Sequence, residues 1–133
     1  ALPICGPELA SALAAFRRPR ARLEDGLAAA EAHAMIDVSD GLALDASRLG
    51  VGVELDAAAL VASDGLAEAA RRVGLDPIAC SLHGGDDYAL LAAAPGPIRG
   101  FRAIGRVVAE AGVWLAGDGA RRPITPGGWD HFG

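Results

Sequence analysis

The chain has no lysine: its twelve basic side chains are all arginine. That removes the P-loop lysine, the protein-kinase strand lysine and the Schiff-base lysine in one step. Any phosphate chemistry must rest on metal ions, arginine or backbone N–H groups. Aromatic residues are also scarce, at 5% against 52% hydrophobic residues overall. The core must therefore be built from alanine and branched aliphatics, which demands close backbone packing. The formal net charge is −5, so the basic face that a nucleic-acid partner requires is not expected. Cysteine is limited to Cys5 and Cys80, far apart and without CxxC or Cys/His spacing. A disulfide framework or zinc site is not expected, and reduced thiols in a cytoplasmic protein are the simpler reading. No apolar run reaches membrane-spanning length. The apolar start lacks a basic n-region and carries Pro7 and Glu8, unlike a signal peptide. It also lacks an initiator Met, which suggests a piece of something longer.

What is present reads as one domain over residues 1–133, of the α+β class, with a mixed or antiparallel sheet and packed helices. Residues 8–15 and 21–33 have helical character on either side of the arginine-rich segment around Pro19. "AMIDV" reads as a short buried strand. "SDGLALDASRLG" reads as a helix capped by Ser39 or Asp40 and stopped at Gly50. "VGVEL" alternates, placing Val51, Val53 and Leu55 on one side. "DAAAL" is a helical turn capped by Asp56. "SDGLAEAARRVG" is a helix with Leu66, Ala70 and Val73 inward and Gly74 at its end. "YALLAAA" reads as a strand covered on both faces. "FRAIGRVV" and "GVWLAG" are two further strands. Residues 117–133 are rich in Gly and Pro and show no regular period.

The pentapeptide "SDGLA" occurs twice, at 39–43 and 63–67. Both copies precede helical patterns, so capping alone explains the repeat, and for Asp64 the cap is the expected role. The first copy differs upstream, because Asp37 stands three residues before Asp40 at a strand end. A carboxylate buried there is costly without a partner. It could pair with an arginine or backbone N–H groups, or it could bind metal; the residue types leave both open. Two carboxylates at a strand-to-helix junction suit magnesium, a hard ion that bridges one or two carboxylates to substrate phosphates. Ser39 can add a hydroxyl, and the following helix start supplies N–H donors to an anion.

Two other stretches carry chemistry. "HGGDDYALL" sets Asp86 and Asp87 behind two glycines, which is ordinary turn chemistry as well as a route for close ligand approach. "GGWDHF" holds Trp129, either a platform for a flat ring or a latch for the tail. His131 has no nucleophile at triad spacing, and His33 reads as structural. The arginines at 17, 18, 20 and 22 could meet phosphate but suit a solvated hinge equally well.

In this order, "MIDVSDGL", "GGDDY", "IGRV" and "GGWDHF" resemble the C-terminal domain of the thiamine-monophosphate kinase family, within the AIR-synthase-like superfamily. The resemblance covers roughly residues 15–132. It implies an α+β, partly ferredoxin-like fold and ATP-dependent phosphorylation of thiamine monophosphate to thiamine diphosphate. Several Mg2+ ions would serve as cofactors, with ATP as co-substrate and no covalent enzyme intermediate. It implies Asp37 and Asp40 as metal ligands, Ser39 on ATP, and Asp86 and Trp129 on thiamine monophosphate. Residues 1–20 would be a helical linker and 117–133 a substrate-side tail. The family's N-terminal ATP- and metal-binding domain, which also carries much of a homodimer interface, is not in this sequence, so the chain alone is expected to be inactive. Two differences stand out. Asp86 replaces the usual Glu, and Ala89 replaces a second acid. Another enzyme of the superfamily, or a non-catalytic small-molecule-binding module, is the alternative.

Overall fold

The computed structural model describes residues 9–62 and 65–127. In chain order the elements are α1 (Ala10–Arg17), α2 (Leu23–Ala28), β1 (Ala34–Val38), α3 (Leu42–Ser47), β2 (Gly52–Asp56) and α4 (Ala57–Val61). They continue with α5 (Leu66–Arg72), α6 (Pro77–His83), β3 (Ala89–Ala93), β4 (Gly105–Val108), β5 (Val113–Gly117) and β6 (Ala120–Ile124). The α+β class is borne out, with the strands divided between two sheets. One is an antiparallel ribbon of β1 and β3; the other runs β4-β2-β5-β6. In the larger sheet β2 and β5 are parallel, and the outer pairings are antiparallel.

The core joins Val38 of β1, Leu91 of β3 and the inward residues of β2 and β5 to Leu42, Ala43 and Ala46 of α3. Leu60 of α4 and Leu82 of α6 close it from the helical side. Ala43 and Ala46 are fully buried. With no side chain beyond Cβ, they let α3 lie against both the ribbon and the larger sheet. Backbone approach replaces aromatic bulk, as the composition demands.

Several local expectations are revised. β2 is buried on both faces through Asp56's predecessor Leu55, while Val51 lies outside it and is exposed. Gly52 and Glu54, on the face opposite Val53 and Leu55, are therefore buried as well, Glu54 beneath its ion pairs with Arg106 and Arg121. β1 alternates between partly buried and exposed residues before buried Val38, whereas every residue of β3 is at least partly buried, with Leu90 beside Gly26 of α2. Val73 is exposed and only Ala70 of α5 is buried. The helix expected over 21–33 stops at Ala28.

Two elements were not anticipated. α6 starts with Asp76 accepting from the Ile78 N–H at 3.0 Å and with Pro77 in the first turn, a recognisable helix start. β6 lies inside the segment expected to have no regular period. Its signal was Asp118-Gly119, both at positive φ, which turns β5 back into β6. Pro123 is accommodated because β6 is an edge strand.

Candidate functional site

The loop between β1 and α3 is built around an acid that motif reasoning passed over. Asp45, in the first turn of α3, is completely buried. Its Oδ2 accepts the N–H groups of Ser39 at 2.9 Å and Asp40 at 3.0 Å. Neither Ser39 nor Asp40 caps α3 through its side chain; the N-cap position is Gly41. The capping is reversed: a helical carboxylate reaches back to the preceding amides, as the second half of a capping box does. The signal was an acid on the same helical face as Leu42 and Ala46, where a charge must have partners.

Asp45 Oδ1 accepts from Arg48 Nη1 at 2.6 Å, and the same nitrogen donates to Asp40 Oδ2 at 2.7 Å. The bond Arg48 donates to Asp40, joined by its bond to Asp45 and that residue's charge, raises the Arg48 pKa above its ordinary value. Asp40 is thus half-buried and ion-paired, and Asp45 is the acid that the fold truly buries. Asp37 is exposed on the open face of β1. The expected desolvation cost at Asp37 does not arise, because its side chain keeps access to water.

The second motif loop meets the first through backbone. Asp86 donates its N–H to the Ser39 carbonyl at 2.8 Å. A Cβ on Gly85 would stand 2.8 Å from the same carbonyl oxygen, and one on Gly41 (φ +115) would stand 3.1 Å from the Gly84 carbonyl oxygen. These glycines allow the two loops to touch. Asp86 and Tyr88 both adopt positive φ, a conformation that costs non-glycine residues energy. Asp87, though exposed overall, has its pKa raised, first by partial desolvation and then by the charge of Asp86. His83 Nδ1 and the Gly127 carbonyl lie 3.0 Å apart, which draws the end of the described chain to this loop. Trp129 and Asp64 lie outside the described residues.

The geometry therefore brings together Ser39, Asp40 and the backbone of Asp86, with Asp37 one residue before the end of β1. Among the described residues, no three acids, histidines or cysteines converge as a metal centre. The donor set of Asp37, Asp40 and the Ser39 hydroxyl still fits magnesium in kind. All three offer hard oxygen, and this ion takes one or two carboxylates and completes its shell with water and phosphate. The larger concavity, of about 670 Å3, is elsewhere and involves Glu54, Asp56, Arg106, Asp118 and Arg121. Its central acid is already neutralised: Glu54 pairs with Arg106 and Arg121, each at 2.8 Å. The motif loops line neither this concavity nor the apolar one of about 390 Å3 beside β3 and β4. Among the described residues, Asp37, Ser39, Gly85 and Asp86 are exposed, so the loops present a surface to solvent.

No protein-family model matches the chain. A curated thiamine-monophosphate kinase of Mycobacterium tuberculosis is 44% identical over 119 residues, covering 80% of this chain and 33% of that protein. One from Aquifex aeolicus is 37% identical over 109 residues, covering 76% and 34% respectively. Among solved structures, AaThiL complexed with AMPPCP and TMP superposes with a TM-score of 0.80 at 32% identity, over 96% of this chain and 43% of that one. Thiamine-monophosphate kinase from Stenotrophomonas maltophilia gives a TM-score of 0.67 at 34% identity, over 85% and 40%. The chain spans about a third of the length of the curated relatives it matches. In sequence and in fold, the chain is homologous to that third of the thiamine-monophosphate kinases.

Proposed function

We propose that this chain is the C-terminal part of a thiamine-monophosphate kinase and contributes one side of its active site. The reaction moves the γ-phosphoryl group of ATP to a phosphate oxygen of thiamine monophosphate. The bond from the γ-phosphorus to the β,γ-bridging oxygen breaks, a bond to the acceptor oxygen forms, and ADP and thiamine diphosphate leave. The observation that carries the reading is the Asp86–Ser39 backbone bond, which joins the nucleotide-side and acceptor-side motifs at 2.8 Å.

In this reading Asp37 and Asp40 offer carboxylate oxygens to magnesium, and the Ser39 hydroxyl touches the nucleotide. Magnesium would supply charge neutralisation to phosphates that the carboxylates otherwise repel. Asp86 contacts thiamine monophosphate, and Trp129 packs on its flat ring system. The backbone holds Ser39, Asp40 and Asp86 in fixed relation, so positioning is this chain's main contribution. A chain without lysine suits a reaction run by positioning and metal charge. An open surface rather than a cavity suits a half-site that the other two thirds of the kinase would close. The whole protein would be a cytoplasmic homodimer. No helix among the described residues is long and apolar enough to cross a membrane.

The test grafts this chain in place of the matching third of the Mycobacterium tuberculosis relative and measures thiamine diphosphate formed from ATP and thiamine monophosphate. The chain alone is assayed beside it. Turnover by the graft that needs magnesium and falls by at least about 100-fold with Asp37→Asn supports the reading, since even outer-shell metal partners are worth about 10–100-fold. A folded graft that ignores thiamine monophosphate overturns it. Turnover by the chain alone would show that the site is not a half-site.

A further inference from the structure

The Arg48 guanidinium sits between two carboxylates of unequal freedom. Asp45 is fixed, with 1% of its side chain exposed and both oxygens engaged. Asp40 is 20% exposed and pairs through Oδ2. Arg48 itself is 45% exposed and reaches both acids with one nitrogen, Nη1. The cluster therefore carries two negative charges and one positive, with the positive charge anchored at its buried end. A divalent cation approaching Asp40 meets a carboxylate whose counter-ion is shared with a stronger, immobile competitor.

We propose that Asp45 and Arg48 are positioning residues for Asp40, keeping its carboxylate aimed and available to a phosphate-bound divalent cation. Asp45 acts in two ways. Its Oδ2 fixes the Ser39 and Asp40 amides and hence the direction of the Asp40 side chain. Its Oδ1 holds Arg48, so that the guanidinium does not neutralise Asp40 alone. The hydrogen bonds are charge-assisted, and those from Arg48 are short, at 2.6 and 2.7 Å, which makes the anchor directional as well as attractive. Outer-shell partners of this kind orient metal ligands and tune their charge. The inference rests on the reading of Asp40 as a metal ligand.

Removing the charge of Asp45 while keeping an acceptor for the amides isolates the second role. In Asp45→Asn the cluster becomes neutral overall, and Arg48 is left to Asp40. Cation affinity should fall about tenfold, at the low end of outer-shell effects. Adding Arg48→Gln to that variant removes the competitor and restores the net charge at Asp40. Affinity should then return close to that of the unmodified chain. A purely structural role for the triad predicts the opposite, because the double variant breaks more contacts than the single one.

The measurement is Mn2+-induced broadening of the Ser39 and Asp40 amide resonances of this chain, which reads weak binding without turnover. The amide spectrum of each variant reports whether it has folded. Weaker broadening in Asp45→Asn, regained in Asp45→Asn/Arg48→Gln, supports the proposal. Equal weakness in both variants, or no effect of Asp45→Asn, overturns it. Broadening that Asp40→Asn leaves unchanged overturns the metal reading itself.

Discussion

The amide of Asp86 donates to the carbonyl of Ser39 across 2.8 Å, and this bond ties the two motif loops into one surface. Gly85 makes it possible, because any Cβ there would press on that same carbonyl oxygen. A backbone oxygen cannot swing aside as a side chain can. Gly85→Ala should therefore cost about 1–3 kcal/mol, the usual range for overpacking, and speed amide exchange at Asp86. Gly96 has open space around its Cβ position. Gly96→Ala is the control and should be neutral or stabilising in the same urea titration.

Asp45 is the acid on which the β1–α3 loop depends. Asp45→Ala leaves the Ser39 and Asp40 amides without their acceptor and Arg48 with Asp40 alone. Loss of a fully buried, hydrogen-bonded charge should lower stability by about 2–4 kcal/mol. Asp45→Asn keeps an acceptor oxygen and should lose about half of that or less by the same reasoning. Chemical denaturation of the two variants checks the order.

Asp87 should make stability depend on pH with an unusual sign. Its pKa is raised in the folded chain by desolvation and then by Asp86. The folded form thus holds its proton more tightly than the unfolded form. The group's contribution is most favourable below the unfolded carboxylate pKa, and it falls as pH rises through that value to the folded one. Asp87→Asn removes the penalty. The variant should be more stable than the unmodified chain at pH 7, with the gain vanishing near about pH 3. Equal gains at both values would show that Asp87 is not desolvated.

Arg121 links three strands through side chains. It pairs with Glu54 at 2.8 Å and with Glu110 at 2.6 Å, and its guanidinium lies 4.0 Å from the Trp114 ring centroid. Arg121→Ala should cost about 1–2 kcal/mol, combining a stacked cation with partly screened ion pairs. Arg121→Lys should restore little of it, because a point charge neither stacks nor forks. In a Trp129→Phe background, a change in Trp114 fluorescence reports the lost contact directly.

Much of the site was legible before any fold was known. The repeated pentapeptide supplied its own control, and the extra aspartate upstream of one copy marked where chemistry was expected. The Asp56 cap was equally plain, since its carboxylate accepts the Ala59 amide at 2.9 Å. The turn at Asp118-Gly119 and the helix start at Asp76-Pro77 were also legible. Neither stands beside a strong hydrophobic period, so the elements they bound have no second signal in the sequence. The exposure of Asp37 was different. A short apolar stretch cannot announce which of its residues will be covered, and here Asp37 stays exposed while Leu90, its partner across the ribbon, is partly buried beside α2.

The sequence by itself determined the chemistry available to this protein. Without lysine, and with paired acids beside glycines, it was limited to oxygen ligands, arginine and backbone donors. Those limits are set by residue type, which folding does not change. Tertiary structure decided which acid is buried and which is free. Asp37 and Asp45 each stand in apolar surroundings along the chain, but only Asp45 faces the packed side of α3 and finds two amides and an arginine. Partners six, five and three residues away along a helix start converge only when the helix forms against the sheets. The meeting of Ser39 with Asp86 is more distant still, and no local pattern encodes it: two backbones reach each other there because glycine leaves the space between them empty.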